Sequence, residues 1–283
     1  MEETKTSSQS LAFLETLLAY VACPVDGSPL SASRNADGQI VALRSRNGKY
    51  PVVHNVPCLM PELADCAGRN LALWQAHQAQ MWQDYQDGDP GVFSGENEIT
   101  HYLGEIIAES GGGLFLDVGC GALASPGYMA TAGSQTQWIG IDPFFGDVPR
   151  DFPFVQALGE YPPFQAGVFD GVLYASTIYH QYDPGQALER TLRVIKPNGR
   201  LYIWYEPPGS SARYVFWKIR RALGWPCDYS RSYRWAFTRN SLCSWLERTG
   251  WTVEDEVLLC VRCPEYGTCK EAGELLVIAR RAP

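Results

Sequence analysis

Apolar positions follow two rhythms along this chain. Leu11, Leu14, Leu17 and Leu18 recur at helical spacing after a polar stretch, residues 1–10, that is expected to fray. The turn-rich run Cys23-Pro24-Val25-Asp26-Gly27-Ser28-Pro29-Leu30 separates that helix from two short strands over 40–44 and 49–53. Val56-Pro57-Cys58-Leu59-Met60-Pro61 closes this part. Residues 63–110 read as helical: Leu71, Leu73, Trp74, His77, Met81, Trp82 and Tyr85 mark an aromatic-rich face, and Ile99, Tyr102, Leu103, Ile106 and Ile107 mark a second helix. Asp87-Gly88-Asp89-Pro90-Gly91 is a loop between them.

From residue 114 onward, short continuous apolar runs alternate with helical stretches. Strands are expected at 114–118, at 137–144 ending in Asp142, from 154 onward, at 169–175 and at 200–205. The helix between the last two carries Leu188, Leu192 and Ile195 on its apolar face and is expected to end at Lys196-Pro197-Asn198-Gly199, with Gly199 as its cap. Thr238 caps a later helix through Leu242, Trp245 and Leu246 to Gly250, and 252–261 and 274–279 form a final strand pair.

Composition narrows the class. The 283 residues, 46% apolar, suffice for one large domain or a domain with a small appendage. A net charge of −8 argues against a surface broadly designed for nucleic acid or anionic membrane. No apolar run reaches the roughly 18 residues of a membrane span. Acids at Glu2 and Glu3 replace the basic start of a signal peptide. Nine irregularly spaced cysteines suit reduced thiols in a cytoplasmic protein, and Cys260, Cys263 and Cys269 are read as free.

The candidate chemistry begins at Leu116-Asp117-Val118-Gly119-Cys120-Gly121, a strand running into a glycine turn toward a helix. Ala124 stands where a dinucleotide fold places its third glycine, and no Gly-Lys-Ser/Thr follows for a Walker loop. Asp117, two residues before the turn, would repel a pyrophosphate and suit a cationic ligand. This run resembles the first motif of the class I S-adenosylmethionine (SAM)-dependent methyltransferases, of the methyltransferase type 11 kind. Phe169-Asp170-Gly171-Val172 resembles that family's fourth strand. Arg193-Val194-Ile195-Lys196-Pro197-Asn198-Gly199-Arg200-Leu201 matches its fifth-strand entry.

The resemblance covers roughly residues 95–281. It implies a Rossmann-like seven-stranded α/β sheet with helices on both faces and the last strand antiparallel. It implies SAM as cofactor, giving S-adenosylhomocysteine (SAH), held by Asp117, Gly119, Cys120, Gly121, Asp142, Pro143, Leu158, Gly159, Ala175 and Ser176. Asp142 lies 21 residues beyond Gly121, a suitable distance for binding ribose hydroxyls. The family's acid near the adenine is replaced by Leu158, leaving an apolar rest and a backbone bond at Gly159. His180 is the best-placed candidate base because imidazole titrates near neutral pH, with Tyr179 as its rival, and a residue of the pocket wall is the preferred reading of His180. Helices before the first motif often cover the pocket in such enzymes, a task open to Trp82 and Tyr85, although simple packing is the preferred reading of both.

Residues 11–62 resemble the small zinc-ribbon-like activators of certain tRNA and protein methyltransferases, through the Cys-Pro-x-x-Gly knuckle and Tyr50-Pro51-Val52. Asp26 stands where zinc-binding members carry a second cysteine. Cys23, Asp26 and Cys58 are then an incomplete set, and no metal is expected. The domain plan is a ribbon-like segment over 1–62, a helical linker or lid over 63–94, and a SAM-binding domain over 95–283.

That domain carries an insert over 206–239, with seven basic and two acidic residues among many aromatics. It reads as a substrate lid, an RNA or carrier-protein dock, or a surface helix with its charges in water. A small-molecule acceptor, such as a natural-product intermediate, is expected. An RNA or protein methyltransferase, or a SAM binder without methyl transfer, is the alternative. The scaffold itself names no acceptor.

Overall fold

The computed structural model describes residues 2–62, 71–87, 98–145, 149–208, 212–225, 227, 233–259 and 274–282. The loop expected at 87–91 and the cysteines at 260, 263 and 269 lie outside these residues, apart from the helical backbone of Asp87.

The chain opens with α1 (Glu2–Leu18). Helical backbone therefore includes the stretch expected to fray. An antiparallel sheet follows in the order β1 (Ser31–Arg34), β2 (Ile40–Ser45), β3 (Gly48–Val53) and β4 (Val56–Pro57). The β3–β4 turn is made by His54 and Asn55, both with positive φ, as a two-residue hairpin turn requires. After β4 the chain runs beside β7 (Phe154–Gln156), where Leu59 donates its N–H to the Gln156 carbonyl at 2.8 Å. This matters because β7 is an edge strand of the main sheet, and the N-terminal sheet covers the ladder it would otherwise leave open. Leu17, Val21, Leu43, Tyr50 and Leu59 share one hydrophobic core with Leu116, Val155 and Phe164 of the larger domain.

Helices α2 (Leu71–Asp87) and α3 (Glu98–Glu109) lead to the main sheet. Its remaining strands are β5 (Gly113–Val118), β6 (Thr136–Asp142), β8 (Phe169–Ala175), β9 (Ile195–Tyr205), β10 (Trp251–Leu258) and β11 (Leu275–Arg281). They are ordered β10-β11-β9-β8-β5-β6-β7, seven strands in which β11 runs antiparallel to both its neighbours. The Rossmann-like seven-stranded architecture expected from the sequence is the one found. Period-two alternation feeds both faces: Leu116, Val118, Val172 and Ile203 enter one core, while Phe115, Leu173 and Tyr202 enter the other.

Three further helices complete the domain: α4 (Gly127–Thr131), α5 (Pro184–Val194) and α7 (Arg239–Arg248), with α6 (Ala212–Ala222) in the insert. The helix expected after the glycine turn is short and begins only at Gly127, because Pro126 holds extended backbone and disfavours helix in the residue before it. Helix α5 ends at Val194, with Ile195 already extended, so Gly199 does not cap it. Gly199 instead lies within β9, where a side chain would collide with Ile195 and the Asp170 carbonyl. Thr238 caps α7 as expected, accepting the Ser241 N–H.

Gly171 in β8 serves the same end of close approach, since a Cβ there would enter the Phe115 ring. Gly171→Ala is predicted to cost about 1–3 kcal/mol through overpacking. Urea unfolding should show a lower midpoint at an unchanged slope; an unchanged midpoint would contradict the packing described.

Candidate functional site

The carboxyl ends of the parallel strands of this sheet open onto one cavity of about 410 Å³. Its floor is the turn after β5. Gly119 and Gly121 have φ of +82° and +67°, which an L side chain rarely adopts, and a Cβ on Gly119 would lie 2.8 Å from Thr177. The turn is stitched to both neighbours. Gly119 and Cys120 donate their N–H groups to the Ile141 carbonyl of β6, and Thr177 Oγ1 donates to the Val118 carbonyl.

Asp142, at the end of β6, completes that stitching. Its Oδ2 accepts the Gly121 N–H at 2.9 Å and its Oδ1 accepts the Phe144 N–H at 2.8 Å. Burial pushes the carboxyl up to about 6, against the pull of those two bonds and of Arg150. Arg150 braces the same loops from outside: its guanidinium donates to the carbonyls of Gly121, Phe144 and Phe145 and lies 3.6 Å from the centre of the Phe154 ring. Nothing in the local sequence pattern singles out Arg150.

Asp117 is placed differently from a pocket acid. It is fully buried beneath the turn and does not line the cavity. Its Oδ2 accepts the Tyr128 hydroxyl at 2.6 Å, and its Oδ1 has no hydrogen-bond partner among the described residues. Burial, with Asp142 nearby, pushes it up to about 7. Burial likewise raises the Cys120 thiol well above its usual range, so Cys120 is no thiolate nucleophile.

The remaining walls come from three segments. Leu158 and Gly159 line one side, where Leu158 packs with Trp74 of α2. Pro143, Ala175 and Ser176 line another. Ser176 is a non-glycine residue at φ +59°, a strained backbone that the surrounding contacts hold in place. Its Oγ hydrogen-bonds the Tyr179 hydroxyl.

His180 reaches the cavity wall, but Tyr179 does not. Tyr179 is buried against Tyr233, and burial drives its hydroxyl far above the ordinary range. His180 Nδ1 lies 3.1 Å from His77 Nε2, so one ring must donate to the other. Burial, then repulsion from His77, lowers His180 to about 3. Burial and the neighbouring His77 thus both favour the neutral imidazole at His180.

Helix α2 contributes Trp74, Gln78 and Met81 to the cavity wall. Trp82 rests instead on Phe144, ring centres 5.2 Å apart, and the Tyr85 side chain lies outside the described residues. The insert contributes Tyr233, and Trp235 donates to the Gln181 carbonyl at 2.9 Å. Glu160 escaped notice in the sequence. It lines the cavity almost fully buried, accepts the Asp183 N–H at 2.9 Å, and is pushed by burial up to about 7.

Elsewhere, Cys23 Sγ receives hydrogen bonds from Ser45 and Asn47, and Asp26 pairs with Arg46 at 2.7 Å. Among the described residues no cluster of His, Cys, Asp or Glu is disposed to hold a metal. No described helix is long and apolar enough to cross a membrane.

Comparison with known proteins agrees with this layout. The model of a methyltransferase domain family matches residues 116–203, from the glycine turn through β9. The chain is 30% identical over 135 residues to the ubiquinone biosynthesis O-methyltransferase of Xanthomonas axonopodis pv. citri (strain 306); the match takes in 44% of this chain and 56% of that protein's length. Among solved structures, the Burkholderia thailandensis 1,6-didemethyltoxoflavin-N1-methyltransferase, bound to 1,6-didemethyltoxoflavin and SAH, superposes with a TM-score of 0.54. It is 17% identical, over 84% of this chain and 97% of that one, and so shares the fold. A SAM-dependent methyltransferase from Mesorhizobium loti is 18% identical over 64% of this chain and 96% of its own, with a TM-score of 0.48.

The buried carboxyls give a stability prediction. Glu160 is raised from 4.5 to about 7, so the folded state holds its proton more tightly, and stability falls as pH rises through that window. Glu160→Gln has no such ionisation. Relative to wild type it should gain on the order of 2–3 kcal/mol between pH 5 and pH 8. Denaturant melts at both pH values check this; an equal difference at the two would contradict the assignment.

Proposed function

We propose that this chain is a SAM-dependent methyltransferase acting on a small-molecule acceptor. The observation that carries the reading is the convergence of the glycine turn, Asp142, the Leu158–Gly159 corner and Ser176 on one cavity at the carboxyl ends of the strands. The match of residues 116–203 to a methyltransferase domain, and the relatives that methylate small molecules, support it.

The residues present fit the cofactor. Each Asp142 oxygen accepts a single backbone N–H, which leaves lone pairs for ribose hydroxyls. Leu158, Trp74 and Met81 offer an apolar wall for the adenine. The missing side chain at Gly119 keeps the turn open for close approach. Asp117, with its unpaired Oδ1 under that turn, is an acid that a cation above it would draw toward the carboxylate. When bound, SAM supplies a methyl already activated on a sulfonium; the protein's part is position and electrostatics.

The acceptor side is then walled by His180, Trp204 and Tyr233. With its pKa near 3, His180 is a poor final resting place for a proton. We therefore assign it to orienting the acceptor by a hydrogen bond, its tautomer set by His77. The aromatic walls suit a planar acceptor whose hydroxyl or nitrogen ionises without a strong base. The N-terminal sheet, resembling methyltransferase activators in sequence, acts in this reading as an inbuilt brace on the β7 edge.

The test is SAH release from SAM, read against a panel of phenols, enols and heterocyclic N–H compounds and against structured RNA. A small planar acceptor should drive turnover. Between pH 5.5 and 8, His180→Gln should lower kcat without changing the shape of its pH profile, since His180 carries no charge there. Turnover with RNA alone would overturn the small-molecule reading. Binding of SAM with no turnover on any substrate would place a non-transferring SAM protein first. An acid limb near pH 6.5 that His180→Gln removes would restore His180 as a base.

A further inference from the structure

Helix α6 leaves its apolar side in water. Val215, Phe216, Ile219, Leu223 and the following Trp225 are each between 52% and 60% exposed, and they are half of the large hydrophobic side chains exposed among the described residues. None of the eleven residues of α6 is buried. At about 100° per residue, Val215, Ile219, Leu223 and Phe216 fall within one sector roughly 100° wide. Residues 212–225 also carry Arg213, Lys218, Arg220 and Arg221 and no acid, in a chain whose net charge is −8. On the same wheel Arg213 and Arg220 flank one edge of the apolar sector and Lys218 the other.

The opposite side of the helix is the one fastened to the protein. The Arg221 guanidinium sits 3.9 Å from the centre of the Trp235 ring and 5.4 Å from that of Trp217. Trp235 is in turn fixed by its N–H bond to the Tyr179 carbonyl and its indole bond to the Gln181 carbonyl. Among the described residues, the exposed stripe therefore faces away from this chain's own core. Its anchor lies two residues beyond Tyr233, a wall of the cavity.

We propose that α6 is an interfacial docking helix that lays Val215, Phe216, Ile219 and Leu223 into the headgroup boundary of an anionic lipid bilayer. An apolar stripe bordered on both sides by cations, with aromatic residues at its margin, is the arrangement such helices use: the stems of Lys and Arg lie along the apolar layer while their charges meet lipid phosphates. Two other occupants fit less well. A two-fold pairing with a second copy would set Arg213, Lys218 and Arg220 against the same three. A nucleic acid would take the cations but leave the aliphatic stripe in water. The negative total charge conceals this local reversal of sign. The proposal does not depend on methyl transfer.

The experiment is flotation of the full chain with unilamellar vesicles of phosphatidylcholine, and of phosphatidylcholine mixed with phosphatidylglycerol. The mixed vesicles should carry the protein and the neutral ones far less, and added salt should release it. Phe216→Ser/Ile219→Ser should abolish the binding. Arg213→Glu/Lys218→Glu should weaken it by more than about tenfold, since each cation near an anionic surface contributes roughly fivefold. The substituted side chains are exposed, so both variants should keep the wild-type circular dichroism and melting temperature. Folded wild type that ignores mixed vesicles would overturn the proposal. So would vesicle binding that neither variant disturbs, or concentration-dependent dimers that only Phe216→Ser/Ile219→Ser dissolves.

Discussion

One carboxylate holds the working end of this sheet together. Asp142 closes β6 and accepts the N–H groups of Gly121 and Phe144, which belong to different turns. Without that clasp, the turn after β5 would rest on the two bonds to the Ile141 carbonyl, the Thr177 bond to Val118 and the Arg150 bond to the Gly121 carbonyl. Buried N–H groups left unpaired would then cost free energy on the order of a hydrogen bond each. Arg150 answers from the other side by capturing three carbonyls of the same loops. The result is a braced rim beside the cavity in which each Asp142 oxygen keeps acceptor capacity, as the proposed ribose-binding role requires.

The rim is electrostatically unusual in a consistent direction. Asp117, Asp142 and Glu160 are all raised by burial, and His180 is lowered by burial and by His77. Every one of these shifts favours the neutral form. A cavity lined by Asp142, Glu160 and His180, with Asp117 beneath its floor, suits a cofactor that brings its own charge, and gives little help to chemistry that needs a strong base. That is why the reading above gives His180 an orienting role.

Much of this was legible in the chain. The strands around Leu116, Ile141 and Val172 are apolar runs bounded by glycine and acid, so their existence and order followed from pattern and motif. Ten of the twelve residues singled out for the site line the cavity, because strand ends and the turns after them converge by topology. Of the two that do not, Tyr179 adjoins His180 and Asp117 stands two residues before Gly119, both of which line it, and which way each side chain points was not legible. Gly199 misled because a glycine after a helix resembles a cap, whereas here it admits the Ile195 side chain and the Asp170 carbonyl. Arg150, His77 and Glu160 act through contacts with distant segments, and no local spacing announces such partners. The aromatic and basic composition of the insert was plain, but which of its side chains face water depended on how α6 docks on Trp235.

The central claim is that the Asp142 rim binds an adenosyl cofactor, and calorimetric titration tests it most directly. Wild type and Asp142→Ala, each checked for its fold, would be titrated with SAM and with SAH. Micromolar binding to wild type, weakened about tenfold or more by Asp142→Ala (at least about 1.4 kcal/mol), is the predicted result. No heat of binding to well-folded wild type, or equal affinity in the two proteins, would contradict it.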